Sequence, residues 1–193
     1  MKTIITFITT IILTLAFTGC GTSSNGLKEA PAKVVGPWYE ANNEIDNNLM
    51  LSLVNLSRAE GAMCGEDYFA PTHALTLNKQ LETSALVKAY DLAKSGNFSH
   101  YSSGTESDIN GKVSVSFTNI KREYGVDYHS IGENIAGGWD DVHELHNAFM
   151  NSPGHCSNIM SPEYNEVGFA KQEGNFSKVD YAQYWVQHFG SKN

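Results

Sequence analysis

The order of its amphipathic segments limits the folds open to this chain more than any other feature. Residues 44–62 and 78–95 carry apolar side chains at helical spacing, and residues 140–151 predict a third helix. Two strand-like segments rich in Val, Phe, Tyr and Trp follow, at residues 167–171 and 181–189. Helices first and strands last favour an α+β fold over a parallel βαβ sheet.

Residues at the ends of these segments predict where the elements begin and end. Asn78 is predicted to cap the second helix and Gly96 to end it, and the third helix begins with acids at residues 140–141, where the helix dipole favours them. A turn at residues 174–175 would pair the two strands antiparallel. A further short helix is predicted over residues 115–124.

The chain is long enough for one domain, and its charge does not suit nucleic acid. It has 193 residues, with 21 acidic against 13 basic side chains and a formal net charge of −8. The basic residues are scattered, with one adjacent pair, Lys121 and Arg122. Because a polyanion-binding surface normally needs a basic stripe, we expect no nucleic-acid partner.

The first 19 residues are typical of a bacterial export signal. Lys2 precedes an apolar run, residues 4–17, that is shorter than the ~20 residues needed to span a bilayer. The end of this signal resembles a lipobox, in which the cysteine, here Cys20, is acylated and becomes the mature N-terminus. The alternative is an ordinary cleaved signal followed by a chance cysteine.

The residues after Cys20 predict a tether and then the folded domain. Residues 20–37 are small, polar and interrupted by two prolines, so we expect a flexible tether and a single domain over residues 38–191. Gly21 stands where an aspartate would typically retain a Gram-negative lipoprotein at the inner membrane. The sequence therefore predicts a cell-envelope lipoprotein, held in the outer membrane if the cell is Gram-negative.

Two cysteines remain once Cys20 is acylated, and both would lie in an oxidising compartment. Thiols in such compartments tend to pair, so Cys64 and Cys156 are predicted to form a disulfide. A closed loop of about 90 residues corresponds to ~4–5 kcal/mol in the chain-entropy account.

Four short segments, in order, resemble the CAP superfamily, also called SCP domains, which includes cysteine-rich secretory proteins, venom antigen 5 and plant pathogenesis-related proteins. The segments are Asn97-Phe98-Ser99-His100, Gly132-Glu133-Asn134-Ile135-Ala136, the stretch from Asn151 to Met160, and Tyr184-Trp185-Val186-Gln187-His188-Phe189-Gly190. Cys64 and Cys156 match a cysteine pair that some bacterial members carry. The resemblance implies a three-layer α-β-α sandwich with a small antiparallel sheet between helices.

The resemblance also implies a cleft in which two histidines and two glutamates can hold a divalent metal. Three positions carry over, His100, Glu133 and His155, and we expect their side chains to converge. The second glutamate, expected in the helix before the second histidine, has no match, because Glu144 lies at least a turn too early. Two interpretations stay open: hydrogen-bonded cleft residues without an ion, or a weak zinc site.

Three other patterns favour structural roles. The run from His143 to His146 lacks the i+4 histidine of a zincin, so it predicts an exposed polar helix face. Trp185 and Phe189 alternate along one strand face and predict core packing. Cys156 is a less suitable thiolate nucleophile than a disulfide partner, because the histidine next to it in sequence would usually diverge from it.

The functional expectation is a non-enzymatic, envelope-anchored ligand-binding or interaction module that presents its cleft or surface to a small apolar ligand, a cell-wall component or a host molecule. Family resemblance is the warrant for the ligand class, since a fold does not fix a function. The alternative is a metal- or Glu/His-dependent hydrolase acting on an envelope or extracellular substrate, with Glu133 as general base and His100 or His155 as acid or ligand.

Overall fold

The structure is a computed structural model, and it describes residues 43–101, 103, 128–174 and 180–192, with residues 43–46 described by their backbone alone. The predicted export signal, Cys20 and the tether lie outside these residues, as do the helix predicted over 115–124 and Asn175 of the predicted turn.

Four helices are described, and three of them are the predicted ones. They are α1 (Asn43–Glu60), α2 (Lys79–Ser95), α3 (Val142–Met150) and α4 (Pro153–Met160). The helix α4 was not predicted from the sequence, because its length of 8 residues is too short to display a helical period.

The caps of α2 match the residues predicted for them. The Asn78 side chain accepts hydrogen bonds from the backbone N–H groups of Gln80 and Leu81, which have no partner within the helix. Gly96 adopts a left-handed conformation with φ of 67° and donates its N–H to the Leu92 carbonyl.

The described residues include six strands, which form a hairpin and a four-stranded sheet. The hairpin pairs β1 (Ala62–Cys64) with β2 (Asp67–Phe69), and the sheet contains β3 (Thr76–Leu77), β4 (Tyr128–Gly137), β5 (Glu166–Glu173) and β6 (Gln183–Lys192). The strand order is β3-β5-β6-β4. Strands β5, β6 and β4 are antiparallel, as predicted for the last two segments, whereas β3 runs parallel to β5. The sheet is therefore mixed, which corrects the purely antiparallel expectation.

The sheet lies between two layers of helices, so the predicted α+β sandwich of three layers is confirmed. On one face, α2 packs against Ile135, Ala170 and Val186 through its alanines and leucines. On the other face, α1, α3 and α4 enclose a second core cluster that contains Trp185 and Phe189, as predicted. Burial of both sheet faces provides most of the driving force for this arrangement.

A disulfide joins Cys64 in β1 to Cys156 in α4, across a sequence separation of 92 residues. It fixes the hairpin to the helix that carries His155 and makes Cys156 unavailable as a thiolate nucleophile. Within the described ranges, none of the helices is long and apolar enough to cross a bilayer.

Candidate functional site

The centre of the site is Glu133, whose carboxylate lies between two histidines. Glu133 in β4 is directly opposite His188 in β6, on the sheet face that packs against α2. The His188 Nε2–H donates to Glu133 Oε2 at 2.7 Å, and the His100 Nδ1–H donates to Oε1 at 2.7 Å. Because an ionised carboxylate only accepts hydrogen bonds, each imidazole must present a proton to it.

The two histidines differ sharply in their exposure. The His188 side chain is 1% exposed, whereas that of His100 is 59% exposed. Within the described ranges the His100 ring makes one hydrogen bond, the one to Glu133. In the neutral ring, a proton on Nδ1 leaves the Nε2 lone pair free, so the site offers solvent one hydrogen-bond acceptor.

Behind His188 lies a fourth polar group, Ser84 of α2. The Ser84 hydroxyl is 2.7 Å from His188 Nδ1, and the residue is 2% exposed. If His188 is neutral with its proton on Nε2, the hydroxyl donates to Nδ1. Ser84, His188, Glu133 and His100 thus form one hydrogen-bonded chain that begins in the core and ends at the surface.

The loop that carries His100 is held by a buried ion pair of α2. Lys88 Nζ lies 3.6 Å from Asp91 Oδ2, and both side chains are almost fully buried. Lys88 Nζ donates to the Tyr101 carbonyl at 2.9 Å, while Asp91 accepts hydrogen bonds from the backbone and hydroxyl of Ser103. These bonds fix the backbone on the C-terminal side of His100.

The same groups set the protonation of Glu133. Burial raises the pKa of Glu133, but hydrogen bonds from His188 and His100 and the nearby charge of Lys88 lower it further than burial raises it. The net pKa lies below its ordinary value, so Glu133 stays ionised at neutral pH.

His155 reaches the site from the opposite helical layer. Its backbone carbonyl accepts from Asn134 Nδ2 at 3.1 Å, and Asn158 of the same helix donates to the Glu133 carbonyl at 3.1 Å. The ring packs edge-on against Phe149, with centroids 5.1 Å apart. Burial lowers the pKa of His155, and the charge of His100 lowers it further.

The three predicted site residues differ in how the structure connects them. His100 and Glu133 are in direct contact, whereas His155 is tied to β4 through its backbone and, in the described part of the chain, its ring makes no hydrogen bond to either. Glu144 is exposed in the first turn of α3.

These residues do not fit a zinc ion. A zinc site uses three or four protein ligands with lone pairs directed at the ion. Both Glu133 oxygens accept imidazole N–H groups, so of the three predicted residues only the rings of His100 and His155 could direct a lone pair at an ion, which is fewer than the three ligands required. Among the residues that the structure describes, no three His, Cys, Asp or Glu side chains are grouped so that they could hold a metal.

The sequence motifs did not identify His188 as a site residue, and the exposed position predicted for His146 is wrong. Alternation along β6 puts His188 on the face opposite Trp185 and Phe189, towards α2, and this period of two was the available signal. His146 is buried and hydrogen-bonded to Ser57 of α1 at 2.9 Å, so the polar-face prediction is wrong for it. The helix turns that residue towards α1 rather than towards solvent.

Exposed aromatic side chains flank the histidine end of the site. Phe98 and Tyr101 lie in the same loop as His100 and are 41% and 83% exposed. The Phe98 ring meets the Tyr181 ring edge-on at 5.5 Å, and Tyr181 contacts Tyr184 at 5.7 Å. The free imidazole nitrogen is therefore close in sequence to an aromatic surface.

Comparison with known proteins gives consistent results. A model of the cysteine-rich secretory protein family (CAP) matches residues 70–189, which is more than half of the chain. The uncharacterized protein YkwD of Bacillus subtilis strain 168 is 29% identical over 118 residues, or 61% of this chain. The match spans 40% of the length of that relative.

Solved structures share the fold at low sequence identity. An outer surface protein from Borrelia burgdorferi has a TM-score of 0.61 and 17% identity, covering 79% of this chain and 97% of that one. An extracellular protein containing an SCP domain from Bacillus anthracis strain Ames has a TM-score of 0.56 and 19% identity, covering 75% of this chain and 40% of that one. With the family match, the chain belongs to the cysteine-rich secretory protein (CAP) family.

Proposed function

We propose that this protein is an exported, lipid-anchored CAP-domain module that binds a small ligand at His100 and does not catalyse its conversion. The observation that carries the proposal is the exposed His100 ring, whose Nδ1 is held by the ionised Glu133 and whose Nε2 has no hydrogen bond to any described residue. Binding sites typically combine apolar and aromatic surface with a few fixed polar groups, and Phe98 and Tyr101 provide the aromatic part.

The chemistry of the site favours a ligand with a hydroxyl group and an apolar face. A lone pair on Nε2 accepts a hydrogen bond, so the ligand must donate one. Phe98 and Tyr101 expose aromatic surface that can contact an apolar group, such as a hydrocarbon chain or the face of a sugar ring. Lipid alcohols and cell-wall saccharides both have this combination.

Export and anchoring rest on the sequence and on the relatives. The apolar leader and the lipobox-like end at Cys20 support an acylated envelope protein. Two structural relatives bear names that place them outside the cell, one as an outer surface protein and one as an extracellular protein. If the Cys20→Ser variant still partitions into detergent, with the same mass and the same signal-peptide processing as wild type, the proposed lipid anchor at Cys20 is wrong.

The hydrolase alternative receives less support. Glu133 was its candidate general base, but both carboxylate oxygens already accept hydrogen bonds and the pKa of Glu133 is lowered. Ser84 provides the hydroxyl in the hydrogen-bonded series that ends at His100. It is buried behind His188 and does not contact His100. A buried hydroxyl at that place orients an imidazole and cannot meet a substrate.

Thermal melting with two probes tests ligand binding. We expect a long-chain alcohol or a disaccharide fragment of peptidoglycan to raise the Tm of the membrane-extracted protein by several degrees. His100→Phe keeps a ring but removes the acceptor nitrogen, so it should abolish the shift. His143→Phe, at an exposed position on α3, is the matched control and should retain it. Equal shifts in wild type and His100→Phe, or none with either probe, would contradict the proposal.

A further inference from the structure

We infer that His188 is a positioning residue that sets which nitrogen of His100 faces the ligand. The inference rests on the proposed role of His100 and extends it to a buried residue on another strand. His188 occupies Glu133 Oε2 at 2.7 Å, so Oε1 is the oxygen left for the His100 Nδ1–H.

Burial is what makes the position of His188 decisive. The Glu133 side chain is 13% exposed, so water replaces a lost hydrogen bond to Oε2 only in part. A carboxylate that loses one partner turns about its last side-chain bond, whose torsion has a broad preference. The hydrogen bond that holds the proton of His100 on Nδ1 is then lost or shared, and the ring samples both tautomers.

Ser84 holds the buried end of the chain. Its hydroxyl lies 2.7 Å from His188 Nδ1, and by donating to that nitrogen it supports the tautomer whose proton is on Nε2, directed at Glu133. Without this hydroxyl only Glu133 holds the His188 proton on Nε2, so the preference for that nitrogen is weaker. The loop contacts made by Lys88 and Asp91 fix the backbone beside His100, but they do not determine its tautomer.

The alternative is that His188 only fills space between α2 and the sheet. In that case a side chain of similar volume would leave the His100 ring unchanged. The two interpretations differ in the tautomer of His100, which can be observed whether or not any ligand binds. Failure of this inference is therefore distinguishable from failure of the proposed function.

The experiment is histidine ¹⁵N NMR on the membrane-extracted full-length protein at pH 8, where free histidine is neutral. In wild type we expect His100 to carry its proton on Nδ1. In His188→Leu the ratio of the Nδ1–H to the Nε2–H form should fall about tenfold, because a charge-assisted hydrogen bond no longer orients the acceptor. His188→Gln retains a donor and should restore most of the ratio.

Two further variants keep the test decisive if His188→Leu does not fold. Ser84→Ala should produce part of the same change in the His100 ratio, while exposed His143→Gln should produce none. An unchanged His100 ratio in His188→Leu, or in Ser84→Ala where the former is unfolded, would overturn the inference. A wild-type His100 that carries its proton on Nε2 would overturn it as well.

Discussion

Arg58 joins parts of the chain that are far apart in sequence. It lies in the last turn of α1 and is fully buried, and its guanidinium donates to the carbonyls of His73, Ile159, Ser161 and Tyr164. Burial lowers the pKa of Arg58 to about 10, which leaves it charged at neutral pH. One side chain thus provides the hydrogen bonds that the C-terminal end of α4 and the next loop need.

We expect Arg58→Met to destabilise the domain by about 3–5 kcal/mol, because several buried carbonyls lose their donor at once. Denaturant unfolding of both proteins measures the difference. Lys79→Met is a suitable control, since it removes an exposed ion pair with Glu82 that is worth under about 1 kcal/mol. Equal losses in the two variants would contradict the role assigned to Arg58.

His146 makes stability depend on pH. Burial, with a smaller contribution from the charge of His143, lowers the pKa of His146 to about 4 from its ordinary value of 6.5. Between these pH values the unfolded chain binds a proton that the folded chain does not, so stability falls as the pH falls, by at most about 3 kcal/mol. His146→Leu should therefore lose less stability than wild type between pH 7 and pH 4.5.

Urea unfolding of wild type, His146→Leu and the exposed-residue control His129→Gln measures this slope. The control should keep the wild-type slope. A wild-type slope in His146→Leu would show that other groups cause the acid sensitivity.

The sequence predicted some residues of the site and not others. His100 and Glu133 were named from motif positions, and they are in contact. His188 was not predicted as a site residue. Its partners Ser84 and Glu133 are 104 and 55 residues away along the sequence, and no local pattern links them to it. Which buried polar groups meet is a property of the sheet register.

Among the secondary-structure elements, helix α2 packs closely against the sheet at Gly168 of β5. A Cβ at Gly168 would overlap the backbone of Leu81 and Glu82 in the first turn of α2. The absence of a side chain therefore allows this helix, which carries Ser84, to pack closely enough to contact His188.

Gly168→Ala should destabilise the domain by roughly 3 kcal/mol, because backbone has to move to make room. Gly154→Ala is the matched control, since a Cβ there meets nothing within 4 Å. Thermal unfolding of the two variants gives the comparison. A Gly168→Ala protein as stable as Gly154→Ala would mean that α2 does not pack as described.

Helices were easier to predict than strands in this chain. Periodicity and caps predicted α1, α2 and α3 to within a few residues, because those signals are local. Strand β4 was missed because Gly132 and Gly137 weaken its pattern. Both glycines make room for aromatic rings, Tyr164 and Tyr181, that come from distant parts of the chain.

In the molecule as a whole, the disulfide links two distant parts of the chain covalently. It joins the hairpin to α4 across 92 residues. In the chain-entropy account such a loop is worth ~4–5 kcal/mol. Reduction should lower the Tm, by an amount that differential scanning calorimetry can measure.

The Cys64→Ala/Cys156→Ala variant should melt at the lower temperature whether or not reductant is present. Alkylation of the native protein should find both thiols blocked. Two reactive thiols in the folded, unreduced protein would contradict the bond.

Ligand binding through His100 is tested most directly by mass spectrometry of the molecules that the protein carries when it is purified from its own membrane. We predict a hydroxyl-bearing molecule in near-stoichiometric amount with wild type, and its loss from His100→Phe but not from His143→Phe. Identical extracts from wild type and His100→Phe would contradict the account.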